Sequence, residues 1–265
     1  ASGRAGWVER DTAEGLVHNL LAGLHGRQRP AFLDGRTTLK GKHRRLRLDN
    51  GKALPVTDSR RERVCALIAG LARQHADPDF FEVLDVARRI AGNGSLGVDR
   101  YVILVRGKGS PDGNELLDLK EALPSAVLPR VATVQPAWRA EAERVVAIQR
   151  RMQAVPMAFL EPVRFRKRSY MLRALQPSED RVSLDVARSG EGAVARVLAS
   201  MGAIVASAQL RSGGRDGSAI ADTLIGYAGE CRRKALLDAA QECAAQLRQD
   251  WKVYSEAYDD GAFAL

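Results

Sequence analysis

The sequence is poor in the residues that most often give a function away. Its three cysteines, Cys65, Cys231 and Cys243, are odd in number and widely spaced, with no C-x-x-C among them. That argues against a disulfide framework and a structural zinc site, and points to a reducing, cytoplasmic setting. The four histidines, His18, His25, His43 and His75, all precede residue 92. No histidine is therefore available to a catalytic loop placed after the glycine-rich turn described below. His18 and His25 have no second ligand at helical spacing, so no metal is expected there. No signal peptide is visible, and the longest apolar stretch, Val197 to Leu210, is broken by Ser200, Ser207 and Gln209. It is too short to cross a bilayer, and no membrane partner is expected.

What remains is an ordinary globular composition with an excess of positive charge. The 265 residues carry 45% hydrophobic and 28% charged side chains, and a formal net charge of +9. A chain of this length can bury a substantial core. The charge favours anionic partners: nucleotide phosphates first, nucleic acid or an acidic protein surface second.

One stretch organises the rest. Gly92, Gly94 and Gly97 form a G-x-G-x-x-G between two apolar runs of strand length, and Lys120 ends a third, Leu116-Leu-Asp-Leu-Lys. A dinucleotide-binding turn needs its glycines to open a helix. Here the β-branched run Val98 to Val105 follows, so the glycines are expected to turn a hairpin. A hairpin of this kind lets backbone N–H groups approach phosphate oxygens, and a lysine on the next strand can neutralise them. Gly92, Asn93, Gly94, Ser95, Gly97 and Lys120 are thus the candidate nucleotide-binding residues. Glu141, on the apolar side of the following helix, is the expected partner of Lys120, with Glu143 as the alternative. The opposing reading is a tight hairpin that binds nothing and a lysine that snorkels to the surface.

The chain before this stretch reads as an amphipathic helix over 8–25 and a hairpin turning at Asp49-Asn50-Gly51 between Leu46/Leu48 and Leu54/Val56. A second helix, opened by Asp58, is expected over Arg61 to His75. The cluster Lys40, Lys42, Arg44, Arg45 and Arg47 lacks interleaved aromatics and reads as a solvated strand face. Three antiparallel strands are predicted at 81–91, 98–105 and 115–121. A helix over Val131 to Gln153 follows, then a strand pair at 159–165 and 170–175. Helices at 193–212, 218–230 and 232–258 complete an α+β architecture. The expected organisation is 1–77 (helices and basic hairpin), 78–182 (β-rich, nucleotide-binding) and 183–265 (helical), within one continuous fold.

Four segments in order carry a resemblance: Asp85 to Gly97, Leu119-Lys-Glu-Ala122, Arg144 to Gln153 and Tyr170 to Arg181. They resemble the bacterial domain-of-unknown-function 2252 family over most of residues 60–260. The resemblance implies a protein-kinase-like or aminoglycoside-phosphotransferase-like fold: an antiparallel sheet with one inserted helix, then a helical region. It implies that Gly92, Gly94, Gly97 and Lys120 contact the phosphates of ATP, and that 176–181 lies near an inter-lobe hinge. Family members usually carry G-D-x-H-x-x-N-F-G and F-D-x-N-D-F-D upstream of the glycine turn, and neither occurs in this chain. Nor is there an H-R-D, D-F-G or H-G-D-x-x-x-x-N after residue 122. The expectation is therefore the C-terminal portion of a family member, or a member that has lost its catalytic segment, and in either case the ATP-binding part of a phosphotransferase. Its Mg²⁺ ligands would lie outside this chain, its acceptor is an unidentified small molecule or protein, and the chain alone is expected to be inactive. Where relatives tend to show a histidine, this sequence has Gln209. The competing expectation is a non-catalytic binding module for nucleic acid or a protein.

Overall fold

The computed structural model describes residues 7–49, 51–92, 95, 97–177, 180–230 and 233–263. The chain forms two compact units, Ala1–Ser212 and Gly213–Leu265, so the boundary falls inside the helical region expected as one block over 183–265.

The first unit is built on a six-stranded antiparallel sheet. Its strands are β3 (Ala53–Leu54), β4 (Val83–Arg89), β5 (Arg100–Val105), β6 (Glu115–Glu121), β7 (Glu161–Phe165) and β8 (Arg168–Ala174), in the order β3-β4-β5-β6-β8-β7. Strand β5, Arg-Tyr-Val-Ile-Leu-Val, is buried along its whole length, because both faces of the sheet are covered and a continuous apolar run is what that position demands. One face packs on helix α3 (Asp58–Ala72), whose Val64, Leu67, Ile68 and Leu71 meet Tyr101, Ile103, Leu117, Leu119 and Leu172. Ile68, Ile103, Leu117 and Leu119 are each 0% exposed, and burying each contributes about 2 kcal/mol.

The opposite face is covered in two patches. At one end, Leu33 of α2 (Arg29–Asp34) and Leu46 of β2 (His43–Leu46) pack on Ala87, Val102, Leu104 and Leu116. At the other, Val146 of α4 (Glu141–Met152) packs with Leu160 and Met171. Period-2 alternation along β6 sends Leu117 and Leu119 to the first face and Leu116, Asp118 and Lys120 to the second. Asp118 and Lys120 thus lie between the two apolar patches.

Several expectations are corrected here. The hairpin at Asp49-Asn50-Gly51 does not form between 46/48 and 54/56, and Asn50 itself lies outside the described residues. Instead β2 pairs back with β1 (Thr37–Lys40), and β3 pairs with Arg88 and Arg89 of β4. Gly41, at φ +62°, makes the turn between β1 and β2. The helix expected from Val131 begins only at Glu141; Pro136 lacks a donor and disfavours helix at the residue before it. Helix α1 is confined to Gly15–His25, and α2, with Pro30 in its first turn, was not anticipated. The strand predictions at 81–91, 98–105, 115–121, 159–165 and 170–175 correspond to β4 to β8 within a few residues.

Helix α5 (Val186–Ser189) leads into α6 (Glu191–Ser212), which contacts α1 and α4. At 22 residues α6 is long and apolar enough by length and composition to cross a membrane, longer than the Val197–Leu210 core suggested. Only 17% of its apolar window is buried: Val194, Val197 and Ala208 face inward, and Arg211 donates to the Met152 carbonyl at 2.8 Å.

The second unit contains α7 (Ala221–Gly229) and α8 (Arg233–Asp259). Trp251, Tyr254 and Tyr258 stack along one side of α8 at helical spacing, with Phe263 5.3 Å from Tyr254.

Candidate functional site

The second face of the sheet carries a concentration of charge that is unusual between two apolar patches. Asp118 is buried, with its side chain 0% exposed, and three arginines close on it from three strands. Arg100 of β5 donates to both carboxylate oxygens, Nε to Oδ1 at 2.9 Å and Nη2 to Oδ2 at 2.7 Å. Arg89 of β4 reaches Oδ2 at 2.8 Å, and Arg173 of β8 at 3.2 Å. Burial alone would raise the Asp118 carboxyl. The Arg100 hydrogen bond, the charges of Arg89 and Arg100, and the Arg89 hydrogen bond outweigh it and hold the group at about 2.

Lys120 adds a fourth cation two residues along the same strand. It stands opposite Arg100 on β5 and Met171 on β8. Among the described residues it makes no ion pair within 4 Å. Burial pushes its ammonium below the ordinary lysine range, and the charges of Arg100 and Arg173 push the same way, while Asp118 pulls it up. Lys120 lines an open pocket of about 220 Å³, whose other walls include Val98, Leu123, Val145, Met171 and Glu121; the Glu121 carboxylate is paired with Arg168 at 3.3 Å. The pocket is small beside ordinary ligand sites of roughly 300–1,000 Å³. It has room for one charged group and an adjoining fragment, and the rest of a larger ligand would lie outside it.

The glycine-rich turn joins β4 to β5, next to Arg89 and Arg100. Gly92 and Gly97 both have positive φ, +60° and +76°, with open space where a Cβ would stand. Ser95 closes the turn locally: its N–H and hydroxyl both donate to the Gly92 carbonyl, at 3.2 Å and 2.9 Å, and its hydroxyl also reaches the Ala91 carbonyl. Asn93 and Gly94 lie outside the described residues. Arg100 ties the turn to the charge cluster by donating to the Ala91 carbonyl at 3.4 Å.

Glu141 does not meet Lys120. It is the first residue of α4, and its carboxylate accepts from Arg144 Nε at 2.7 Å, one turn on along the same helix. The late start of α4 explains the difference: what was read as mid-helix is a helix N-terminus, fixed by the Ala142 N–H donating to Ser169 Oγ at 3.2 Å. Glu143 makes no ion pair with Lys120 either. Gln209 lies in α6, and no described contact brings it to Lys120.

The basic cluster at 40–47 is not uniformly a solvated face. Arg44 has its side chain 1% exposed and bridges Asp34 at 2.6 Å and Asp112 at 3.1 Å. It also donates to the Pro111 carbonyl and to Thr37, clamping the β1–β2 hairpin to the 107–114 loop. Arg47 is paired with Asp49.

The residues that sequence reasoning missed are Arg89, Arg100, Asp118 and Arg173. A signal for one of them was present. An aspartate in Leu-Leu-Asp-Leu-Lys must be buried if its neighbours are, and a buried carboxylate requires cations.

The class of protein these observations define is an α+β chain with an antiparallel sheet and a cationic site on one face. A model of the family described as "Uncharacterized protein conserved in bacteria (DUF2252)" matches residues 5–257, and the chain belongs to that family. The match takes in the N-terminal helices as well as the 60–260 region that carried the resemblance. No curated protein and no solved structure matches the chain.

Proposed function

We propose that the Lys120 face of the sheet binds the phosphate groups of a nucleotide, ATP being the expected ligand. The observation that carries this reading is the imbalance of charge: Arg89, Arg100, Arg173 and Lys120 share one carboxylate, Asp118. The arginines hold that carboxylate by direct hydrogen bonds, which leaves Lys120 partly buried and with no carboxylate among the described residues in direct contact. An anion in the Lys120 pocket would supply the missing charge at a site already positive. The adjoining turn supports the same reading, because Gly92 and Gly97 leave their backbone open to close approach. So does the order of elements: glycine turn, strand, strand with lysine, then helix, as at kinase phosphate sites.

A kinase-like site would also hold Mg²⁺, largely through the nucleotide's own phosphates with one or two side chains, and the described residues add no acidic cluster to it. No three His, Cys, Asp or Glu side chains come together among them, and Asp118 is already saturated by arginines. Phosphoryl transfer needs metal ligands and an aspartate near the acceptor hydroxyl. This chain alone is therefore expected to bind phosphate without transferring it. A phosphotransferase role, with a small-molecule or protein acceptor, would rest on groups beyond those described. The competing reading is a non-catalytic module that uses its basic surface on nucleic acid or a protein partner; Arg44, buried and paired with Asp34 and Asp112, is not part of any such surface.

The test is titration calorimetry of ATP with Mg²⁺ on this chain and on Lys120→Ala. Micromolar binding that the substitution weakens by about tenfold or more, roughly 1.4 kcal/mol, is expected. Absence of binding by the unsubstituted chain, or equal affinity in both forms, removes the reading.

A further inference from the structure

A second pocket, independent of the Lys120 site, opens on the other face of the sheet beside α3. Its volume is about 370 Å³, within the range in which small-molecule sites fall. Its walls divide by chemistry. Val64, Leu67, Tyr101, Leu119, Phe165 and Tyr170 form an apolar and aromatic part, and Arg60, Arg63, Arg166, Lys167 and Arg168 supply cations around it. Asp99 is the one carboxylate in the lining, and it is occupied: Arg168 Nη1 lies 2.8 Å from it and 3.3 Å from Glu121.

The remaining cations are poorly compensated. Arg63 donates to the Ser59 carbonyl and Arg166 lies over the Phe165 ring at 5.4 Å, neither of which cancels a charge. Among the described residues, Arg60 and Lys167 have no carboxylate within 4 Å. Lys167 follows Arg166, whose φ of +55° turns the β7–β8 hairpin, so the turn itself carries the basic groups to the pocket mouth. The arrangement is bipolar, with an apolar wall made by the sheet and α3 and a cationic mouth made by α3 and the hairpin turn.

We propose that this pocket is a binding site for a small amphipathic anion, a compound with an apolar ring or branched body and one carboxylate or phosphate. The body would lie against Phe165 and the edge of Tyr170, and the anionic group would take Arg60 and Lys167 as its partners. Charge complementarity selects the anion, and the volume of about 370 Å³ suits a body about the size of a single substituted ring. An inorganic anion leaves the apolar wall unused, and a neutral ring leaves the cations unused. The two halves of the lining are useful together only to a ligand that carries both.

The probes are phenyl phosphate and benzoate, which share the ring and differ in the anion, with inorganic phosphate and benzyl alcohol as the two half-ligands. Each is titrated by calorimetry into the full chain carrying Lys120→Ala and into the same chain with Arg60→Gln and Lys167→Gln added. Both added substitutions lie at the pocket mouth and leave the apolar core intact, and unchanged circular dichroism and Tm verify the fold. At least one ring anion is expected to bind in the millimolar range or tighter, with both half-ligands at least about tenfold weaker. With Lys120→Ala as the common background, so that the opposite face contributes nothing, the Arg60→Gln/Lys167→Gln pair is expected to weaken the ring anion by about tenfold or more. That background separates this proposal from the phosphate reading of the opposite face. The proposal is overturned if neither ring anion binds. Binding of inorganic phosphate as tight as that of phenyl phosphate, or equal ring-anion affinity with and without the Arg60→Gln/Lys167→Gln pair, overturns it equally.

Discussion

Arg100 and Lys120 stand directly opposite one another on neighbouring strands, two like charges across an antiparallel pair. Such a pair is destabilising in isolation, and here Asp118 bonds directly to the arginine and acts on the lysine only through its charge. Replacing Lys120 by methionine keeps the aliphatic reach of the side chain and removes the repulsion. Because burial and Arg100 both push the Lys120 ammonium down, keeping it charged costs folding free energy at neutral pH. Lys120→Met is expected to leave Tm equal or raised while weakening ATP binding by about tenfold or more. A lowered Tm, measured by thermal denaturation, would show that Lys120 is held for stability instead.

Asp118 is the opposite case. Removing its charge leaves Arg89, Arg100 and Arg173 facing one another with no counter-ion. Asp118→Asn is expected to cost about 3–5 kcal/mol in urea denaturation, as for other broken buried pairs. A loss below about 1 kcal/mol would mean that the arginines relax freely into solvent.

The same carboxylate sets an acid limit. Its folded value of about 2 lies below the ordinary 3.8, so the folded state binds the proton less readily than the unfolded chain. The resulting stability, on the order of 2 kcal/mol, is fully present above pH 3.8. It is lost as pH falls through 3.8 toward 2. Stability measured between pH 5 and 2 should fall in the parent chain and lose this component in Asp118→Asn. Identical slopes in the two forms would contradict the assignment.

Gly107 and Gly97 both have positive φ yet should respond differently to alanine. A Cβ on Gly107 would stand 2.2 Å from the Gly113 carbonyl oxygen, backbone against backbone, whereas Gly97 has nothing within 4 Å. Gly97→Ala is expected to cost about 1 kcal/mol, the conformational cost alone. Gly107→Ala is expected to cost about 3 kcal/mol or more, since the loop must open. Equal losses in denaturant titrations would refute the crowding at Gly107.

Arg44 provides a test of the N-terminal clamp. Arg44→Met removes charge-assisted bonds to Asp34, Asp112 and the Pro111 carbonyl. A loss of about 2–3 kcal/mol is expected, without effect on ATP affinity. A fall in affinity at unchanged stability would move Arg44 from scaffold to site.

Much of the sheet was legible because its apolar runs are strong. Val98 to Val105 and Leu116 to Leu119 could be little else than buried strands, and Lys120 stood out against them. The β2 pairing was misread because two turn signals competed. Asp49-Asn50-Gly51 has good turn chemistry, but Gly41 lets β2 fold back on β1, and Arg44 then anchors that hairpin to Asp112, 68 residues away. Long-range ionic anchoring of this kind leaves no local pattern. Arg89, Arg100 and Arg173 looked like scattered basic residues for the same reason: only strand pairing brings them to one carboxylate. Glu141 was misplaced because helical periodicity continued through Gln135-Pro136, where the backbone does not.

The one-residue step from Leu119 to Lys120 separates the two pockets by the thickness of a single strand. An inserted or deleted residue in the 107–114 loop that slipped β6 by one position would turn the strand inside out. Lysine would then enter the α3 core and leucine would meet the arginines, so both pockets would fail at once. What both pockets share is thus the register of β6, held by its pairing with β5 on one side and β8 on the other.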